Sequence, residues 1–343
     1  MGNSIKGFSK DLAIDLGTCN TLIVMEGMGV VVDEPSVVAV QRGHGGLLGE
    51  VLAVGQEASD MVGRTPSNIV AVQPLKGGVI SDFRMCEEML RHFITLANGK
   101  GGFFKPRILA CVPHGVTEVE KRAVYESARA AGGREVYLLS EPLAAALGAG
   151  LPVMEPTGSM IIDIGGGTTE IAVISMGAIV KATSLKVAGD QMDASIVSYL
   201  KENHGLIIGD KTAEHIKREI GCAIPHDKPI SATIKGRDSN TGIPKQIAIS
   251  SVEIGQALAG PIRMILQGIQ RTLASTPPEL SGDLHTRGIV LCGGGSLLYG
   301  IDTLISETTK VDCARNSEPL QCVAKGAGLA LEDPFLLNRV ALA

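Results

Sequence analysis

Tryptophan is missing from these 343 residues, and aromatic side chains supply only 3% of them, so the core must be aliphatic. No run of about 18 apolar residues occurs, which leaves no candidate for a membrane-crossing helix. The opening MGNSIKGFSK lacks the apolar stretch of a secretory signal, and Lys6 stands where a myristoylation start carries Ser or Thr. The seven cysteines are odd in number, scattered and never spaced C-x-x-C. That argues against a disulfide framework and a zinc site, and fits a reducing cytoplasm. An excess of one charge is lacking too: 31 basic and 36 acidic residues are interspersed for a net charge of -5, so no field gathers nucleic acid. Neither a P-loop nor a G-x-G-x-x-G is present.

What the chain has is glycine, 43 of them, within a composition that is 45% hydrophobic and 20% charged. Such a chain folds, and its length favours two lobes over one core. A repeat supports this. IDLGTCNTLIVMEGMGVVVDEPS (Ile14 to Ser36) overlays IDIGGGTTEIAVISMGAIVKATS (Ile162 to Ser184) at a constant shift. Asp15 meets Asp163, Gly17 meets Gly165, Thr21 meets Thr169, Met28 meets Met176, Gly29 meets Gly177 and Ser36 meets Ser184. Each copy predicts a β-hairpin with a glycine-rich tip, then a turn at Gly29 or Gly177 and a third apolar run.

Either tip alone reads equally well as a tight turn. Two in register point to one ligand chemistry. Small residues leave backbone N–H groups free for phosphate oxygens, and the carboxylate beside them, which phosphate repels, suits a hydrated Mg²⁺. The expected ligand is a triphosphate. A third cluster, GIVLCGGGSLLYGI (Gly288 to Ile301), follows an apolar strand and precedes a helical stretch; Gly293, Gly294, Gly295 and Ser296 would let a base or ribose lie against the backbone.

DLGT, DIGGGTT, the late GGGS and VAKGAGLAL resemble the superfamily of actin, heat-shock chaperone ATPases and sugar kinases. Segments such as VGRTPSNIVAVQPLKGGVISDF, KPRILACVPHGVTEVEKRAVYESA, EPLAAALGAGLP, TAEHIKREIG and TPPELSGDLHTRGIVLCGGGSLL narrow the resemblance to the MreB family of bacterial actins, essentially end to end. It implies an α/β, actin-like (ribonuclease H-like) ATPase fold: two duplicated lobes with four subdomains around a nucleotide cleft. Domain I would span 1–151 with an insertion near 38–80, domain II 152–314 with an insertion near 188–252, and 315–343 would return to domain I. The crossings would fall near AALGAGLP and SEPLQCVAKGAG, whose small residues suit closely packed helices.

The resemblance also assigns roles, with ATP and Mg²⁺ as cofactors. Asp15 and Asp163 would organise the metal, while Gly17, Thr18, Cys19, Asn20, Gly165, Gly166, Gly167 and Thr168 surround the phosphates. Glu214 and Lys217, on one face of a helix, match nucleoside positions, although by themselves they read as a solvated pair. Glu141 would orient the hydrolytic water, with Thr168 sharing it. A first-turn acid before Pro142 fits the same residues. Three departures stand out: Ser140 where the family has an acid, Cys19 where a small residue is usual beside the first tip, and Gly77 where an Asp is common.

The chain's own surface would then be its output, a homopolymer of paired antiparallel protofilaments with Val119 at the pairing surface. Phe103 and Phe104, flanked by Lys100, Lys105 and Arg107, suit insertion at the inner face of the cytoplasmic membrane. Rings folded back into the lobe are the alternative. Adaptors resembling RodZ, MreC and MreD would complete a cell-shape role in a cytoplasmic, peripheral protein. The rivals are a bacterial actin for plasmid or organelle positioning, and a superfamily small-molecule kinase, for which no acceptor pocket or dedicated base is seen.

Overall fold

The computed structural model describes residues 11–42, 48–99 and 105–342. The chain divides into two compact units, one running to Leu151 and resuming at Gln321, the other spanning Pro152–Leu320.

The first unit opens with the predicted hairpin and third strand, β1 (Leu12–Leu16), β2 (Asn20–Met25) and β3 (Gly29–Pro35). A small sheet follows, with β4 (Val38–Arg42) between β5 (Leu48–Val54) and β6 (Ile69–Val72), covered by α1 (Gln56–Met61). The β7 (Leu75–Lys76) and β8 (Val79–Ile80) hairpin leads to α2 (Phe83–Asn98), β9 (Arg107–Val112), α3 (Glu118–Ala130), β10 (Glu135–Ser140) and α4 (Glu141–Gly148). Asp82 caps α2, its side chain accepting from Met85 N at 3.0 Å, and Thr117 with Glu120 forms a capping box on α3. These residue types satisfy the first-turn N–H groups that a helix cannot pair internally.

The second unit repeats the plan with β11 (Ser159–Ile164), β12 (Thr169–Ser175) and β13 (Ala178–Leu185). Next come α5 (Gly189–His204), β14 (Leu206–Ile207), α6 (Asp210–Ile220), β15 (Ser231–Asp238), β16 (Pro244–Ser250), α7 (Ser251–Ala274) and α8 (Pro278–Arg287). It ends with β17 (Ile289–Cys292), a 3₁₀ turn at Gly294–Leu297, α9 (Ile301–Thr309) and β18 (Cys313–Arg315). Because β18 pairs with β17, Cys313–Arg315 stay with this unit, and the return comes at Gln321, not at 315. The first unit then resumes with α10 (Cys322–Glu332), α11 (Pro334–Val340) and β19 (Ala341–Leu342).

The duplication is visible in the strand order. The first unit's main sheet runs β19-β10-β9-β1-β2-β3 and the second's β13-β12-β11-β17-β18. In each, the hairpin strands are antiparallel and the first of them pairs in parallel with a later strand. In the first core, β-strand residues Leu12, Ile14, Ile23 and Met25 pack with α2 and α3; in the second, Ile162, Ile164, Ile171 and Val173 pack with residues of α5, α7, α8 and α9. Isoleucine and valine suit such strands because β-branched side chains fill a pleated surface at low entropic cost. In the first unit α4 and α10 touch backbone to backbone: a side chain at Gly148 would overlap the Cys322 carbonyl, and one at Gly326 that of Ala144.

Candidate functional site

Each glycine tip stands at the carboxyl end of parallel strands, the edge where open α/β sheets bind ligands. In the first unit, β1, β9 and β10 run parallel, so Asp15, the turn Gly17–Cys19 and Glu141 share one edge. Asp15 faces Leu22 across the hairpin, and a Cβ on Gly17 would sit 2.5 Å from the Asn20 carbonyl. Ser36, just beyond β3, ties this tip down: its Oγ donates to Gly17 O at 2.7 Å, lies 2.9 Å from Thr21 Oγ1, and its N–H donates to Cys19 O at 2.8 Å. Thr18 is buried, its hydroxyl accepting the Gly78 N–H at 3.0 Å; Asn20 is exposed and donates to Asp33 at 3.1 Å. Gly77 and Gly78 form the turn between β7 and β8, both with positive φ, so the departure at Gly77 leaves this turn unstrained.

In the second unit, β11 and β17 run parallel and bring the tip Gly165–Thr168 together with the third glycine cluster. Gly293 has φ 76°, and a side chain there would overlap Asp163 Oδ1 and the Ile164 carbonyl; one at Gly295 would overlap Ile164. Glycine is required at 293 on both counts. Ser296, 1% exposed, donates to Gly293 O at 2.7 Å and folds the turn. The α5 N-terminus holds the tip, with Gly189 N donating to Gly165 O at 3.1 Å and Asp190 N to Gly166 O at 2.8 Å. Burial pushes the Asp163 carboxyl up to about 6, against the opposing effect of a hydrogen bond from Cys292.

Mg²⁺ fits this donor set. It takes hard oxygen ligands and is held through one or two carboxylates together with phosphates and water, and a desolvated carboxylate such as Asp163 regains its charge beside a cation. Among the described residues no group of three or more His, Cys, Asp or Glu gathers into a dedicated metal cage.

The nucleoside candidates part company. Lys217 Nζ donates to Asp193 Oδ2 at 2.9 Å and to Gly189 O at 3.1 Å, so it is fastened to the first turn of α5 beside the tip. Glu214 is half-exposed and lies 3.9 Å from Arg218 on its own helix, so it and Lys217 have different partners and do not form a solvated pair with each other. Sequence reasoning missed Asp193, whose signal was only its position one helical turn after Gly189. Glu141 is the first residue of α4, 9% exposed, behind Ser140 at the N-cap. Ser140 makes no side-chain cap, and its Oγ is buried without a hydrogen-bond partner among the described residues.

Val119 lies in the first turn of α3 and is 79% exposed. Phe103, Phe104 and Lys100 fall outside the described residues. Arg107 corrects an expectation: it is not a free surface cation. It opens β9 with its guanidinium on Asp11, Nε donating to Oδ2 at 2.8 Å and its N–H to Oδ1 at 3.2 Å. That hydrogen-bonded carboxylate raises the guanidinium pKa further. No helix among the described residues is long and apolar enough to cross a membrane.

Comparison with known proteins agrees with this geometry. The cell shape-determining protein MreB of Escherichia coli (strain K12) is 49% identical over 327 residues, 95% of this chain and 94% of that protein. The cell shape-determining protein Mbl of Bacillus subtilis (strain 168) is 48% identical over 326 residues, 95% of this chain and 97% of that protein. The crystal structure of MreB 5 of Spiroplasma citri bound to AMPPNP superposes with a TM-score of 0.89 at 37% identity, covering 94% of this chain and 96% of that one. The fold is therefore actin-like. A family model described as MreB/Mbl protein matches residues 9–339, and the chain belongs to the MreB/Mbl family.

Proposed function

We propose that this chain is an ATP-binding cytoskeletal protein that polymerises into membrane-associated, actin-like filaments of two antiparallel protofilaments and organises cell-wall elongation to maintain rod shape. The observation that carries the reading is the duplicated tip, a carboxylate and a glycine turn at the carboxyl end of parallel strands in each unit. Its support from relatives is the cell-shape role of the MreB and Mbl proteins and the AMPPNP bound by the Spiroplasma citri protein.

In this reading Asp15 and Asp163 would hold a hydrated Mg²⁺, whose charge would offset that of the phosphates. Backbone N–H groups of Gly17–Asn20 and Gly166–Thr168 orient the phosphates, with the Gly165 N–H closing the second tip on Thr168 O at 2.9 Å, and Gly293–Ser296 with Glu214 and Lys217 receive the nucleoside. Glu141 orients the attacking water and the Thr168 hydroxyl shares it, so catalysis is positioning plus electrostatics. Hydrolysis weakens the filament by shifting populations between conformations. Val119 sits in the self-complementary pairing surface. Phe103 and Phe104 enter the inner face of the cytoplasmic membrane, and adaptors resembling RodZ, MreC and MreD connect the filament to the elongation machinery.

The test is co-pelleting of purified protein with anionic vesicles, ATP and Mg²⁺, imaged by electron microscopy, beside a Phe103→Ser, Phe104→Ser double variant and Val119→Glu. Paired filaments on vesicles are expected. The double variant should leave lipid but still polymerise, and V119E should give single protofilaments. ATP consumption without filaments in any nucleotide would overturn the polymer reading and favour a small-molecule kinase.

A further inference from the structure

We infer that Asp193 is a positioning residue for nucleoside recognition, presenting Lys217 to the ribose through a part-buried ion pair against the first turns of α5. The inference rests on the nucleoside role proposed for Lys217.

Four contacts make one chain from the phosphate tip to that lysine. Gly189 N donates to Gly165 O at 3.1 Å and Asp190 N to Gly166 O at 2.8 Å, which locks the start of α5 to the tip. Lys217 Nζ, reaching over from α6, donates to Gly189 O at 3.1 Å and to Asp193 Oδ2 at 2.9 Å. Gly189 makes room for this, since a Cβ there would lie 3.3 Å from the ammonium nitrogen. Asp193 is one helical turn beyond Gly189, so its side chain and the Gly189 carbonyl present themselves on the same face of α5.

Two features distinguish this pair from a structural strut. An ammonium group has three donors; two are assigned here, and the side chain is still 15% exposed, so the third is available to a ligand acceptor beside the tip. Asp193 Oδ1, in contrast, is buried with no hydrogen-bond partner among the described residues. A carboxylate so placed is costly, all the more with the charges of Glu214 and Asp190 acting on it. An anchor serving stability alone would be better built from a neutral or fully paired group. What the carboxylate supplies is a fixed direction for one flexible lysine, whose four-carbon stem otherwise loses entropy on each binding event.

The experiment measures the affinity of full-length protein for ATP, 2′-deoxy-ATP, 3′-deoxy-ATP and inorganic tripolyphosphate, each with Mg²⁺, in wild type, Asp193→Asn, Lys217→Ala and the double variant. Melting temperature serves as a control for folding. Asp193→Asn keeps the side-chain size and drops the charge. It is expected to weaken ATP about tenfold, to leave tripolyphosphate unchanged, and to bring ATP and at least one deoxy form to equal affinity. On the Lys217→Ala background it should add nothing. Equal loss for all four ligands, or no loss for any, overturns the positioning role of Asp193. If Lys217→Ala itself leaves the ATP-to-deoxy ratio unchanged, the nucleoside reading of Lys217 has failed instead. If Lys217→Ala changes that ratio and Asp193→Asn does not, Lys217 acts without Asp193 and the inference alone falls.

Discussion

The two glycine tips share a sequence motif and a strand register, yet they are held in place by different means. Leu16 faces Thr21 in the first and Ile164 faces Thr169 in the second, as the repeat requires. Beyond that point the copies diverge. The first tip is secured by the Ser36 hydroxyl, and the second by the N-terminus of the 16-residue helix α5 and by Gly293 pressed against Asp163. A helix N-terminus adds partial positive charge beside an anion site, so the second tip carries an electrostatic contribution that Ser36 cannot supply. Duplication preserved the hairpin and its register, and the support beneath each hairpin changed independently.

The sharpest way to test that difference is to fill the glycines. Gly293→Ala puts a methyl group into Asp163 Oδ1 and the Ile164 carbonyl at a φ of 76°, with a cost of about 4 kcal/mol or more. Gly17→Ala meets the Asn20 carbonyl at 2.5 Å without positive φ and should cost about 1–3 kcal/mol. Urea midpoints give both values; equal losses would mean that the third glycine cluster does not brace the second tip.

Charge separates the units next. Burial pushes both Asp163 and Asp193 up to about 6, with Lys217 opposing it at Asp193. Between the unfolded value near 4 and about 6, the native protein holds protons that the unfolded chain has released, so these groups make stability fall as pH rises through that window. The limit is about 3 kcal/mol for each group. Asp238 and Glu253, held low by hydrogen bonds from Thr241 and Ser250 respectively, push the other way, since their contribution is lost as pH falls. The measurement is therefore the difference between wild type and Asp163→Asn in urea midpoint from about pH 4 to about pH 6.5. A variant profile parallel to wild type would show that Asp163 does not titrate there.

The two serines that the repeat aligns offer a smaller contrast. Ser36 is fully buried and bonds a carbonyl and a hydroxyl, whereas Ser184 is exposed and donates to the buried Glu170 at 2.5 Å. Ser36→Ala should cost about 2 kcal/mol and Ser184→Ala about 1 kcal/mol, read from thermal unfolding. The reverse order would argue that Glu170 needs its serine more than the first tip needs Ser36.

How far the sequence predicts this follows from the range of each interaction. The hairpins and their strands were readable, because apolar periodicity and glycine placement are local signals. The partners of Lys217 and Arg107 were not. Asp193 is 24 residues from Lys217 and Asp11 is 96 from Arg107, and a charged side chain gives no hint in sequence of which distant carboxylate will meet it. For Arg107, spacing to Phe103 and Phe104 pointed to a surface role, while the parallel pairing of β1 with β9 put it against Asp11. The third strand of the repeat shows the same limit. The overlay places Ala182 opposite Thr169 by analogy with Glu34 opposite Thr21, but Leu185 stands there.

The cause of that slip is the turn, and it leads to the smallest prediction. Both copies contain Met-Gly at matching positions, so both were expected to turn there. In the second they do: Ser175 pairs with Ala178 around Met176 and Gly177, at φ 55° and 76°, the two-residue form that requires positive φ at both centres. In the first, Met25 pairs with Gly29, the loop is Glu26–Met28 with Gly27 at φ 71°, and Gly29 already belongs to β3. Met28 and Met176 are almost equally exposed, 57% and 58%, so the same substitution at each isolates backbone conformation from burial. Met176→Asn, which suits the left-handed region, should stabilise by about 0.5–1 kcal/mol, and Met28→Asn should not. A gain at Met28 equal to that at Met176 would mean that the register difference between the copies does not originate in the turn.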